Sequence, residues 1–144
     1  MLAPLAAWIA IRGLEELLTP AVLGLAVLFW VSGFDILYAC QDVDFDRKTG
    51  LYSVPARLGV HAALRVALFC HALMIVALLA LYWVTPALGF IFLAGLVAVA
   101  AVLAYEHWLV RPDDLTRVNR AFFHVNSVIS VGLFALVLLQ LAVG

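Results

Sequence analysis

Charge is what this chain has least of. Of its 144 residues only 12% are Asp, Glu, Lys or Arg, against 67% hydrophobic, and the mean hydropathy of +1.17 is far above that of a water-soluble domain. With a net charge of -1, it has neither the basic excess of a nucleic-acid binder nor a polybasic lipid-surface anchor. Cysteine is equally scarce. Cys40 and Cys70 both lie in apolar stretches, so a disulfide framework and a CxxC metal site are excluded, and both read as small core residues. A secretory leader is not indicated, because the apolar opening lacks a basic start and runs on into further apolar segments. No internal repeat, low-complexity tract or soluble domain stands out.

What is present is a series of long apolar runs. Met1 to Ile11 is too short for a span, which needs about 20 apolar residues, and reads as a partial helix ended by Arg12 and Gly13. Leu17 to Phe34 carries no charge; Thr19 is placed to cap it, with Pro20 at the first helical position, and the helix is expected to continue toward Gln41. Val66 to Tyr105 is uncharged over twice the length of one span, and the aromatics and proline of Tyr82 to Pro86 divide it into two. Ala121 to Gly144 makes the last. The expected fold is therefore all-α, a polytopic transmembrane bundle of four full spans and a partial first helix, forming one transmembrane domain over 1–144.

The connections alternate in character. Residues 42–65 and 106–120 read as long charged loops, whereas the stretches around Arg12 and Pro86 are short. Arg47, Lys48, Arg57, Arg65, Arg111, Arg117 and Arg120 fall on one side of the membrane and only Arg12 on the other, so the positive-inside rule makes the first side cytoplasmic. Most carboxylates lie there too. Glu106 and His107 are read as the start of the second solvated loop, and His124 as a residue at the membrane boundary. The tryptophans, Trp8, Trp30, Trp83 and Trp108, read as interface and packing aromatics.

One segment carries chemistry, Asp35 to Gly59. On an unbroken helix Asp42 and Asp46 come seven and eleven residues after Asp35, which brings the three carboxylates to within roughly 40° of one another, with Tyr38 close by. Asp44 projects from the opposite face into solvent. Carboxylates at a helix end are often no more than a solvated face. Asp35 argues otherwise, because an acid about a turn inside an apolar span is costly, roughly 2.5–3.5 kcal/mol at a helix centre, and such residues usually line a hydrated cavity. Oxygen ligands in such a place suit magnesium, which takes one or two carboxylates and completes its shell with water and substrate phosphate. Arg47, Lys48 and Arg57 come next, and bases of this kind complement phosphate oxygens. Asn119, Asn126 and Ser130 share one face of the last span, where polar groups more often join helices than bind substrate.

The spacing of Asp35, Tyr38, Ala39, Gln41, Asp42, Asp46, Gly50, Ser53 and Gly59 resembles the second aspartate-rich motif of the UbiA family of aromatic prenyltransferases. That motif is D-x-x-Y-A-x-Q-D-x-x-x-D with a G-x-x-S-x-x-x-x-x-G tail. Glu106, His107, Leu109, Val110, Pro112, Asp114, Leu115, Arg117, Val118, Asn119, Ala121, Phe122, Phe123, Asn126 and Ser130 are similar to the last cytoplasmic loop and helix of the family's 4-hydroxybenzoate-type branch. The resemblance implies a magnesium-dependent transferase of the bacterial inner membrane with its active face cytoplasmic. Its substrates would be a polyprenyl diphosphate and an aromatic acid, 4-hydroxybenzoate or a related precursor of ubiquinone or menaquinone. It also implies roles: Asp35, Asp42 and Asp46 as metal ligands, Tyr38 and Asp42 as catalytic groups, and Arg47, Lys48 and Arg57 as diphosphate contacts.

The family's first motif, N-D-x-x-D-x-x-x-D, does not occur here. The chain therefore resembles the C-terminal half of such an enzyme, beginning within its fifth helix, and a catalytically incomplete chain that needs an N-terminal half is an alternative expectation. A transporter or proton relay is another, although its acids would be scattered over several helices near the midplane.

Overall fold

A computed structural model of the chain describes residues 2–112, 114, 115, 118 and 121–143, with the side chains of Ala121 and Phe122 outside the description. Among the described residues there is no β-strand. The helices are α1 (Leu2–Arg12), α2 (Leu18–Ala39), α3 (Val43–Thr49), α4 (Val54–Leu58), α5 (Val60–Val84), α6 (Phe90–Leu109) and α7 (Asn126–Val143). A 3-10 turn, Cys40–Asp42, joins α2 to α3, and a π-helical turn, Ala121–Val125, precedes α7. Four helical stretches are long and apolar enough to cross a membrane: Leu18–Thr49, Val60–Val84, Phe90–Leu109 and Phe123–Val143. This is the multi-pass helical bundle expected from composition.

Each span is apolar on all sides and buries one stripe against its neighbours. Along α5 the inward residues are Ala63, Ala67, His71, Met74, Leu78 and Leu81, recurring every three or four positions as one helical face requires. Along α6 they are Phe92, Leu96, Val99, Leu103 and Glu106. The most extensive packing is α2 against α5, where small residues on both helices, Gly33, Ala63 and Ala67, let the backbones approach closely. The core gathers Phe34, Met74, Leu78, Phe92, Leu96 and Ile129 from four helices. Phe69, Trp83, Phe90, Val97 and Phe134 point outward, an apolar exterior that suits lipid better than water.

Several boundaries differ from those expected. Thr19 lies inside α2, whose cap is Leu17; its hydroxyl instead donates to the Val84 carbonyl at 3.5 Å and accepts from the Thr85 hydroxyl at 3.4 Å, fastening the start of α2 to the end of α5. Buried Pro20 still falls in the first turn, where its missing N–H costs nothing. The segment 42–65 is mostly helical, because α3 and α4 fold within it and Arg65 belongs to α5. Glu106 and His107 are not loop residues. They sit in the last turn of α6, and Glu106 is fully buried because it falls on the inward stripe set by Phe92, Leu96, Val99 and Leu103. The Tyr82–Pro86 division holds, with α5 ending at Val84 and α6 beginning at Phe90. Asp113, Arg117, Asn119 and Arg120 lie outside the described residues.

Candidate metal and diphosphate site

The helix that carries the aspartates changes pitch at Cys40–Asp42. A 3-10 turn advances about 120° per residue where an α-helix advances about 100°, so three such residues rotate α3 by roughly 60° relative to an unbroken helix. Asp35 and Asp42 are exposed, while Asp46, on α3 where it packs beside α4, is only 8% exposed. Asp44 is exposed, as its position opposite the others suggests. Among the described residues Asp35 and Asp42 make no ion pair within the chain.

Asp35 borders a cleft of about 370 Å³ that it shares with Trp30, Val31, Phe34, Asn126 and Ser130. Asn126 and Ser130, favoured as helix-joining groups from sequence, thus stand in the same cleft as the intramembrane aspartate. Tyr38, one turn after Asp35, is also on the outward side. Its spacing on the helix does this: residues 31, 35 and 38 are exposed while 34 and 37 point inward.

The basic residues come immediately after. Arg47 and Lys48 form the last turn of α3, which ends at Gly50 in the left-handed region, φ 71°, with the Gly50 and Leu51 amides both donating to the Asp46 carbonyl. This reversal is why glycine stands there. Ser53 then caps α4 by accepting the Ala56 amide at 3.3 Å, and Gly59, φ 80°, turns the chain into α5. The folded-back segment lets Arg47 Nε donate to the Ala56 carbonyl at 3.3 Å. Arg57 lies over the Tyr52 ring, 4.6 Å from its centre, and borders a second open cleft of about 400 Å³ with Tyr52, Ser53 and Val54. The glycines and serine of the motif are therefore the joints that fold α3 and α4 back beside each other.

The aspartates offer only oxygen donors. Outward carboxylates at Asp35 and Asp42 without an ion-pair partner among the described residues, with amide and hydroxyl groups across the cleft from Asp35, fit a small hard cation of the magnesium type. They do not converge into one compact cluster. Among the described residues the group of three or more potential ligand side chains that does converge is a different one, His71, Glu106 and His107. Reading α6 as ending before Glu106 hid it; continuing the inward period of Phe92, Leu96, Val99 and Leu103 by three residues reaches it.

Comparison with known proteins agrees with the motif. A sequence model of the UbiA prenyltransferase family matches residues 1–128. A 4-hydroxybenzoate octaprenyltransferase of Saccharophagus degradans is 32% identical over 107 residues, covering 74% of this chain and 35% of the relative. One from Pseudomonas fluorescens is 35% identical over 106 residues, again 74% and 35%. One from Aromatoleum aromaticum is 33% identical over 114 residues, 79% and 38%. The chain thus spans little more than a third of the length of these curated relatives. No solved structure matches it at a significant level. The motif from Asp35 to Gly59, the four apolar spans and the match over most of the chain together place it: this chain belongs to the UbiA prenyltransferase family.

Proposed function

We propose that this chain provides the second acidic motif of an enzyme that transfers a polyprenyl group from its diphosphate to an aromatic acid. The acceptor is 4-hydroxybenzoate or a related quinone precursor, and the site lies at the cytoplasmic face of the inner membrane. The observation that carries the reading is Asp35, a carboxylate set in an apolar span and opening on a cleft it shares with Asn126 and Ser130. The relatives named as 4-hydroxybenzoate octaprenyltransferases support the choice of acceptor.

Asp35 and Asp42 would hold magnesium, which when bound supplies positive charge to neutralise the diphosphate leaving group. Asp46, buried at the inner side of α3, completes the family pattern, and we assign the direct contacts to the two outward aspartates. Lys48 and Arg57 would meet diphosphate oxygens, and Arg47, already braced on α4, would fix the distance between α3 and that anion. Tyr38 would orient the leaving group from the face of Asp35. The prenyl tail needs only an apolar channel. On a different face of α7 from Asn126 and Ser130, Val128 and Gly132 line an apolar cavity of about 210 Å³ against Gly95 and Val99 of α6.

The test uses membranes from cells that lack their own 4-hydroxybenzoate prenyltransferase and express the complete gene product containing this chain. Transfer of a labelled prenyl group to 4-hydroxybenzoate should require magnesium, stop on chelation, and fall at least 100-fold in Asp42→Asn and Asp35→Asn. Undiminished transfer in both variants would refute the assignment.

A further inference from the structure

A second polar cluster lies against Phe34, and the aspartate motif makes no use of it. His71 on α5 is 2% exposed and Glu106 on α6 is 0% exposed, both in segments long and apolar enough to cross the membrane. His71 Nδ1 is 3.0 Å from His107 Nε2 and 3.5 Å from Glu106 Oε2, and one ligand atom from each of the three lies within 4.8 Å of the others. Among the described residues neither carboxylate oxygen of Glu106 has a hydrogen-bond partner. A carboxylate buried in an apolar segment with both oxygens unsatisfied is costly, and either a proton or a cation relieves that cost.

We propose that His71, Glu106 and His107 form a zinc-class metal site between α5 and α6, separate from the aspartate motif. Zinc binds nitrogen at about 2.0–2.1 Å, so the edges of its tetrahedron are roughly 3.3 Å. The two separations that involve His71 Nδ1, 3.0 and 3.5 Å, lie on either side of that value, and the third, between Glu106 and His107, lies within 4.8 Å and closes on the ion when it binds. A set of two imidazoles and one carboxylate is borderline in softness and selects zinc over magnesium, whereas the all-oxygen set of Asp35 and Asp42 selects the reverse. A hydrogen bond between the two histidines would satisfy one nitrogen of each and leave the carboxylate as it is; a divalent ion engages all three. The framework is stiff. Gly33 of α2 presses on the His71 ring so closely that a methyl group there would overlap it, and Phe34 packs on the same ring at 4.8 Å. Access exists through a cleft of about 140 Å³ between α5 and α6, bordered by Leu68, Ala72, Ala100 and Ala104 and reaching both histidines. Three protein ligands leave the fourth position for water.

The test is metal binding by the purified full-length protein in detergent, carrying an affinity tag without histidine. After incubation with zinc and removal of excess, the wild-type protein should retain about one zinc ion per chain. X-ray absorption should show nitrogen and oxygen neighbours at about 2.0–2.1 Å. Cobalt in place of zinc should give the intense visible bands of a tetrahedral centre. Glu106→Gln and His107→Ala should lower zinc affinity at least tenfold, while His61→Ala, at an exposed histidine at the start of α5, should leave it unchanged. If a variant fails to fold, the wild-type cobalt and X-ray spectra decide alone. Zinc retention no higher than background, a six-oxygen shell characteristic of the aspartates, or equal retention in Glu106→Gln and His107→Ala would overturn the proposal.

Discussion

Replacing Gly33 by alanine sets a methyl group inside the His71 ring, against Cδ2 and Nε2. Phe34 packs on that ring with centres 4.8 Å apart and His107 at 5.1 Å, and the 3.0 Å contact between the two histidines holds it in place. The backbones of α2 and α5 must therefore separate, and overpacking of this kind costs about 1–3 kcal/mol. Helix propensity opposes it, since Gly→Ala in a helix interior gains up to about 1 kcal/mol. Gly132 separates the two effects: an alanine Cβ there meets nothing within 4 Å. Gly132→Ala should then be neutral or stabilising by up to about 1 kcal/mol, and Gly33→Ala destabilising, a gap between them of roughly 2 kcal/mol. Reversible unfolding in mixed detergent and SDS, monitored by helical circular dichroism, reads both values. A second arm removes the obstacle. In a His71→Ala background the Gly33→Ala penalty should nearly vanish, giving a coupling energy of about 1–2 kcal/mol. Equal stabilities for the two glycine variants, or a penalty unchanged without the imidazole, would refute the close-packing account of α2 on α5.

Individual contacts carry two further expected outcomes. Ser53→Ala removes the cap that accepts the Ala56 amide and should cost about 1 kcal/mol locally, seen as faster amide exchange over α4, with looser diphosphate binding through Arg57 as a rise in KM rather than a fall in kcat. Gln140→Leu removes the acceptor of the Phe92 amide, a bond of 3.3 Å at the start of α6 beside Gly89; unfolding should show a loss of about 0.6–2 kcal/mol, and an unchanged value would mean that water serves that amide equally well.

The multi-pass bundle is legible because membrane spans are written as uninterrupted apolar runs, and the Tyr82–Pro86 break needs only aromatics and one proline to be seen. The motif is legible as a string, since its residues are close in sequence. Its geometry is not. An ideal helix places Asp46 beside Asp35 and Asp42, and nothing in Cys40, Gln41 and Asp42 announces either the 3-10 turn there or the burial of Asp46 that sets it apart from the other two. Glu106 is misplaced by sequence reading for another physical reason. Charge near a span's end ordinarily marks the start of solvent, and only the inward helical period from Phe92 onward shows that this acid continues the buried stripe. His71 on α5 and His107 on α6 meet only through tertiary packing, as do Asp35 and Asn126, so no local pattern reveals either pair.

The threonine contacts at one end of α2 and α5 and the glycine against imidazole contact further along bear on how the site can move. A pair of rods pinned at two separated points behaves as a single beam. Thr19 with Val84 and Thr85 is one pin, and Gly33 against His71 is the other. Asp35 stands two residues beyond the second pin, so it is carried by the beam rather than by a free helix end.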